Sequence, residues 1–236
     1  MPGLRDLSNA PTETRKNVLR RVLIVVIFDS LIILLLLSSA GTINWLYAWL
    51  YIAAFTLIQL IGLFFIPFDV MAERGKKKEN TETWDKLITG LLIPGFMAVY
   101  LIAGLDFRWS WSGGMTAGWH IGGILIFLMG CSLELWAMYS NRFFSSEVRL
   151  QFDRGHAVCS RGPYRYVRHP GYVGMILLYG FTPIFLGSLW ALIPAIMTVI
   201  LLIVRTALED RILQNKLPGY REYAERVRFR LIPGIW

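Results

Sequence analysis

The segment Gly162-Pro163-Tyr164-Arg165-Tyr166-Val167-Arg168-His169-Pro170-Gly171-Tyr172 sets an imidazole, two guanidiniums and three phenols directly before a long apolar run. Two other polar pieces stand far away in the chain. One is the acidic pair Glu209-Asp210, where the last apolar run stops; the other is Gly219-Tyr220-Arg221-Glu222-Tyr223, which runs on to Val227-Arg228-Phe229-Arg230-Leu231-Ile232-Pro233. Proline suits the first position of a helix, because its missing N–H would be unpaired there anyway. A helix starting at Pro170 presents free N–H groups and a partial positive charge to an anion, and a bound carboxylate or phosphate is the natural guess. The alternative is an interfacial belt of aromatic and basic residues. A helix start explains Pro170, but not the crowding of Tyr164, Tyr166, Arg168, His169 and Tyr172 around it.

Glu209-Asp210 falls at a helix C-terminus, where the dipole disfavours negative charge by a few tenths to about 1 kcal/mol. Pairing with Arg205 or Arg211 would offset this by about 0.3 to 0.5 kcal/mol if exposed. The reading preferred here is functional: the carboxylates accept hydrogen bonds from a polar ligand, since Arg205 is itself drawn to the membrane boundary. Asp29 and Glu134 lie inside apolar runs and should face the bundle interior with partners. An interhelical polar contact is expected for Asp29. Glu134, about two turns before Asn141, is expected to reach the same cavity as the motif residues. Gln59 is a weaker candidate, and His120 reads as a headgroup contact near the outer boundary.

With 55% hydrophobic and 17% charged residues and a mean hydropathy of +0.50, the 236-residue chain is too apolar for a soluble domain. A bilayer core of about 30 Å needs roughly 20 apolar residues per crossing. Six runs are counted, at about 18–40, 44–68, 84–105, 117–139, 170–187 and 188–208, the fifth of them short and the last two forming a tight hairpin. The expected fold is an all-α polytopic membrane bundle: one integral membrane domain over 1–236, with the ligand-binding region in 141–236. Met1 to Thr14 reads as a surface tail.

Of the 24 lysines and arginines, 23 fall in four segments: the amino terminus through Arg21, the Arg74 to Lys86 loop, the Arg142 to Arg168 loop, and Arg205 to the end. The positive-inside rule makes these cytoplasmic and leaves only Arg108 outside, so both termini and every motif face the cytoplasm. The net charge of +8 therefore serves lipid headgroups and orientation rather than nucleic acid. Cys131 and Cys159 have neither metal-ligand spacing nor a common location, which leaves no zinc or disulfide reading. No internal repeat is visible, which weighs against a transporter.

The order His156-Ala157-Val158-Cys159-Ser160-Arg161-Gly162-Pro163-Tyr164, Arg168-His169-Pro170-Gly171-Tyr172-Val173-Gly174, Glu209-Asp210 and Gly219-Tyr220-Arg221-Glu222-Tyr223 with Val227 resembles the isoprenylcysteine carboxyl methyltransferase family and its phospholipid methyltransferase relatives. The resemblance covers roughly residues 141–233. It implies a helical membrane enzyme that takes S-adenosylmethionine from the cytoplasm and methylates a lipophilic acceptor from the bilayer. Carried over by position, His156, Tyr164, Arg168, His169, Pro170 and Tyr172 would line the cofactor pocket, Glu209 would bind the cofactor's polar part, and Arg205 would point toward the acceptor. Asp210 stands where a second glutamate is common, and Arg161 replaces a small polar residue.

Methyl transfer from a sulfonium asks mainly for alignment and exclusion of water. A carboxylate acceptor is already ionised at neutral pH, whereas an amine must lose a proton. With Arg168 and Arg205 available and no histidine placed as an obvious base, an oxygen acceptor is preferred. The rival readings are a membrane reductase of the sterol-reductase type that binds NADPH, and a non-catalytic membrane protein.

Overall fold

The computed structural model describes residues 10–76 and 81–236, which among them form an all-helical bundle. The helices are α1 (Thr12–Ala40), α2 (Leu46–Phe65), α3 (Phe68–Gly75), α4 (Thr83–Trp109), α5 (Ala117–Ser140), α6 (Pro170–Leu186), α7 (Leu192–Lys216) and α8 (Tyr220–Arg226). Five of them, α1, α2, α4, α5 and α7, are long and apolar enough to cross a membrane, which makes the chain a multi-pass membrane protein. Their outward faces carry large apolar side chains such as Leu34, Leu57, Phe64 and Leu125.

The expected fifth span is the exception. At 17 residues, α6 measures about 25 Å, short of the roughly 30 Å apolar core. Its limits have local causes. The N–H groups of Arg168 and His169, just before Pro170, go to the carbonyls of Phe229 at 2.9 Å and Arg230 at 3.0 Å, so the chain there is tied to the C-terminal segment instead of continuing a helix. At the other end, Gly187 at φ 82° closes the helix: its N–H goes to the Ile184 carbonyl and the Ser188 N–H to that of Pro183. The antiparallel partner α7 runs on to Lys216, well past the start of α6.

Small residues let α5 and α6 touch backbone to backbone, the usual solution where lipid gives no hydrophobic drive between helices. A Cβ on Gly174 would come within 2.7 Å of the Gly130 carbonyl oxygen and 2.8 Å of the Glu134 nitrogen. Beside this seam lies a core of Tyr51, Tyr100, Phe127 and Phe185, in which the two tyrosine hydroxyls share a 2.7 Å hydrogen bond. At the end of the bundle away from the motifs, Asp106 accepts from Ser112 and Ser188 and locks the α6–α7 hairpin to α4.

Several expectations change. His120 is not a headgroup contact: it is buried, stacked on Tyr47 with ring centroids 3.4 Å apart, and its Nδ1 is bonded to the Phe185 carbonyl at 2.8 Å. Asp29 does not make the expected interhelical contact, because among the described residues its buried Oδ1 has no hydrogen-bond partner. Of the expected tail Met1 to Thr14, residues 1–9 lie outside the described residues, and Thr12 already belongs to α1. The stretch around Arg74 is helical, not a loop, while Lys77 and Lys78 lie outside the described residues.

Gly174→Ala should cost about 1 to 3 kcal/mol by overpacking, whereas Gly122→Ala on α5, where a Cβ meets nothing within 4 Å, should be neutral or stabilising. Thermal unfolding of both variants in detergent checks the contrast; equal midpoints would remove the α5–α6 seam from the account.

Candidate functional site

The three polar pieces of the sequence meet at one end of the bundle, and Asp210 joins them. Its carboxylate is fully buried and accepts from Arg168 Nε at 2.8 Å and Nη2 at 2.9 Å, Arg230 Nε at 2.8 Å, Tyr220 Oη at 3.0 Å and Gln214 Nε2 at 2.7 Å, with His169 Nε2 at 3.2 Å. Arg168 Nη1 also donates to the carbonyls of Val227 and Arg228. The loop before α6, the end of α7, α8 and the C-terminal segment are thus tied to a single side chain. Asp210 was expected to meet a ligand; instead its oxygens are occupied by protein donors. Arg168 likewise has Nε, Nη1 and Nη2 bonded within the protein.

The neighbouring Glu209 is placed differently. Successive helical residues diverge by about 100°, so Asp210 turns into the hub while Glu209 lines a cavity. Tyr172 Oη donates to Glu209 Oε2 at 2.6 Å, and among the described residues no donor reaches Oε1. Neither acid pairs with Arg205. That arginine is held by Asp85 at the start of α4, Nε to Oδ1 at 2.7 Å and Nη2 to Oδ2 at 3.2 Å, with Nη2 also on the Ser146 carbonyl at 2.8 Å. Sequence reading missed Asp85 because an acid in the first turn of a helix needs no partner to explain it.

The loop 141–169 is fastened from outside by α3. Arg149 bonds Glu73 at 2.8 Å and Arg154 bonds Asp69 at 3.0 Å. Inside it, His156 Nδ1 accepts from the Gln151 N–H at 3.2 Å, and its ring lies 4.7 Å from that of Phe143. Burial, reinforced by the charges of Arg149 and Arg154, pushes His156 down to about 4, so the ring is neutral at pH 7. Burial also raises the phenols of Tyr164 and Tyr220, the latter helped by Asp210, and keeps them protonated.

The cavity has a volume of about 390 Å³, within the roughly 300–1,000 Å³ of small-molecule sites. His156, Tyr164, Arg168, His169, Tyr172, Arg205 and Glu209 all line it, together with Tyr220, Tyr223 and, further in, Glu134. Pro170 is buried at the head of α6 outside the wall, and Tyr166 is 66% exposed on the surface. The sequence reading did not anticipate Arg21, Arg74 and Thr89, which line the side formed by α1, α3 and α4.

Residues 123–215 match the isoprenylcysteine carboxyl methyltransferase (ICMT) family. The match takes in most of α5, the 141–169 loop, α6 and nearly all of α7, and it stops before α8. No curated protein matches the chain.

Asp210→Asn leaves buried cations without their carboxylate and should cost about 3 to 5 kcal/mol, read as a large fall in unfolding midpoint in detergent; a midpoint within a degree of wild type would contradict the hub. For His156 the folded pKa lies below that of the unfolded chain, so the unfolded state binds more protons between roughly pH 6.5 and 4. Stability should therefore fall as pH drops through that window, and His156→Gln should flatten the fall. Parallel pH–stability curves for the two proteins would count against a neutral buried ring.

Proposed function

Because residues 123–215 match a family of membrane methyltransferases and lie within a multi-pass helical bundle, we propose that the protein transfers a methyl group from S-adenosylmethionine to a lipophilic acceptor, at the cytoplasmic end of the bundle. The observation that carries this reading is the shared cavity: Glu209 with one oxygen held by Tyr172, neutral His156 and Arg205, held from behind by Asp85, line a single space.

The donor set suits a sulfonium nucleotide. Glu209 offers a carboxylate to the cofactor's amino group, and the Tyr172 and Tyr220 rings offer π faces to a cation. His156 and Phe143 present flat, uncharged surface to a base. His169 and Arg168, fixed by Asp210, hold the wall against which the ligand closes. Bound there, the cofactor supplies an electrophilic methyl group.

The chain's own contribution is alignment. Asp85 fixes Arg205 through Nε and Nη2, and Nη1 makes no hydrogen bond among the described residues, which leaves it for an acceptor oxygen. A carboxylate acceptor would arrive already ionised, so no residue need remove a proton. A ligand that fills the cavity displaces its water, which strengthens each charge contact.

Titration of the detergent-solubilised protein with S-adenosylmethionine, and separately with NADPH, tests the reading; binding of NADPH alone would replace methyl transfer with reduction. Glu209→Gln should weaken S-adenosylmethionine binding by about tenfold, the order expected for one charge-assisted hydrogen bond of about 1.4 kcal/mol. Arg205→Lys should leave that affinity within about threefold and lower methyl incorporation into membrane lipid extracts by about a hundredfold, the scale of a misplaced positioning group. The opposite pattern, with affinity lost in Arg205→Lys and kept in Glu209→Gln, would exchange the two roles.

A further inference from the structure

The arginines at this end of the bundle fall into two sets. Arg168, Arg205, Arg149 and Arg154 each reach a carboxylate at 3.1 Å or less. Arg21 on α1 and Arg74 on α3 also line the cavity, yet among the described residues neither forms an ion pair or a hydrogen bond. The Nε of Arg74 is buried without a partner, and the guanidinium lies 5.3 Å from the centre of the Phe144 ring. Thr89 Oγ1, on the facing wall of α4, is also buried without a partner.

The two cations are held together by the packing of α3 on α1. Gly75, next to Arg74, meets α1 so closely that a Cβ there would collide with the Asn17 carbonyl oxygen and lie 3.0 Å from Arg21 Cβ. Glu134 lies within electrostatic reach of both arginines and Asp29 within reach of Arg21, yet among the described residues neither acid hydrogen-bonds to them, so both guanidinium groups keep unused donors. Donors left without partners inside a cavity are costly unless a ligand accepts from them. The wall beside them is apolar and open: Ile24, one turn after Arg21, and Ile93 on α4 both line the cavity and are 41% and 53% exposed, on helices long and apolar enough to cross a membrane.

We infer that Arg21 and Arg74, with Thr89, form a subsite for the oxyanion of a membrane amphiphile whose tail passes between α1 and α4. Both arginines lie outside the ICMT-matched residues 123–215. The subsite stands on the unpaired cations and the apolar opening, apart from the Arg205 position assigned to the acceptor.

Thermal unfolding of the full chain in neutral detergent, with added phosphatidylglycerol, phosphatidylcholine, oleate or inorganic phosphate, tests the inference. Phosphatidylglycerol should raise the wild-type midpoint by several degrees and phosphatidylcholine should not. Arg21→Gln and Arg74→Gln should lose at least half of that shift, while Arg211→Gln, at an exposed cation on α7, keeps it. An equal response to oleate assigns a carboxylate head as sufficient; a weaker one assigns the phosphodiester. If Arg74→Gln does not fold, Arg74→Lys should keep a reduced shift. Equal shifts with both phospholipids, full shifts in both glutamine variants, or a full shift with inorganic phosphate alone would overturn the subsite. S-adenosylmethionine titration of the same samples separates the two readings: cofactor binding without an arginine-dependent lipid response sinks only the subsite, and the reverse sinks only methyl transfer.

Discussion

The arrangement depends on a carboxylate placed where no water reaches it. Asp210 could not stay ionised in that position alone, because desolvation of an unpaired charge is prohibitive. Two arginines, a tyrosine and a glutamine supply enough donors to hold it, and His169 stands beside them. Apart from Gln214, which lies on α7 with Asp210 itself, these donors come from segments with little else to fix them: the loop before α6, the seven-residue α8, and the terminal stretch after Val227. A buried ion network is weak as net stabilisation but strong as specification, since any other arrangement strands a charge. The short length of α6 follows from it, because Arg168 and His169 must leave the helix to reach Asp210 and the Phe229–Arg230 carbonyls.

A second buried pair repeats the device across the bundle. Asp85 opens α4 and fixes Arg205 in α7, and also takes the Val148 N–H of the long loop at 2.8 Å. The loop is thus pinned from the inside by Asp85 and from the outside by Glu73 and Asp69 of α3. It contains only short helical turns, yet it forms a rigid wall with a neutral histidine. The cavity is therefore bounded by segments whose positions are set by charge rather than by apolar packing. On its α1–α4 side apolar residues such as Ile24 and Ile93 stand beside Arg21 and Thr89.

Much of this was legible in the sequence. Apolar run lengths indicated the helices, and the Pro170 start and Gly187 stop of α6 follow from local backbone chemistry. The meeting of residues 156–172 with Glu209 and Tyr220 was implied by a family resemblance. What stayed hidden has physical reasons. Eight-residue α3 and seven-residue α8 are too short to show a period. Nothing local says that a first-turn acid such as Asp85 pairs with an arginine 120 residues away. The different placements of Glu209 and Asp210 had a readable signal: the buried stripe Ala195, Thr198, Leu202, Thr206 and Asp210 recurs every three or four residues and puts Asp210, not Glu209, on the inward face. Arg21 and Arg74 looked like ordinary flanking charges because only the docking of α3 on α1 brings them to the cavity.

A structure of the protein with S-adenosylhomocysteine bound measures the central claim most directly. The account predicts the ligand inside the cavity, its amino acid end on Glu209, its base beside His156, and the Asp210 network unchanged around it. Ligand density outside that cavity, or a bound state in which Glu209 and His156 line different spaces, would contradict it.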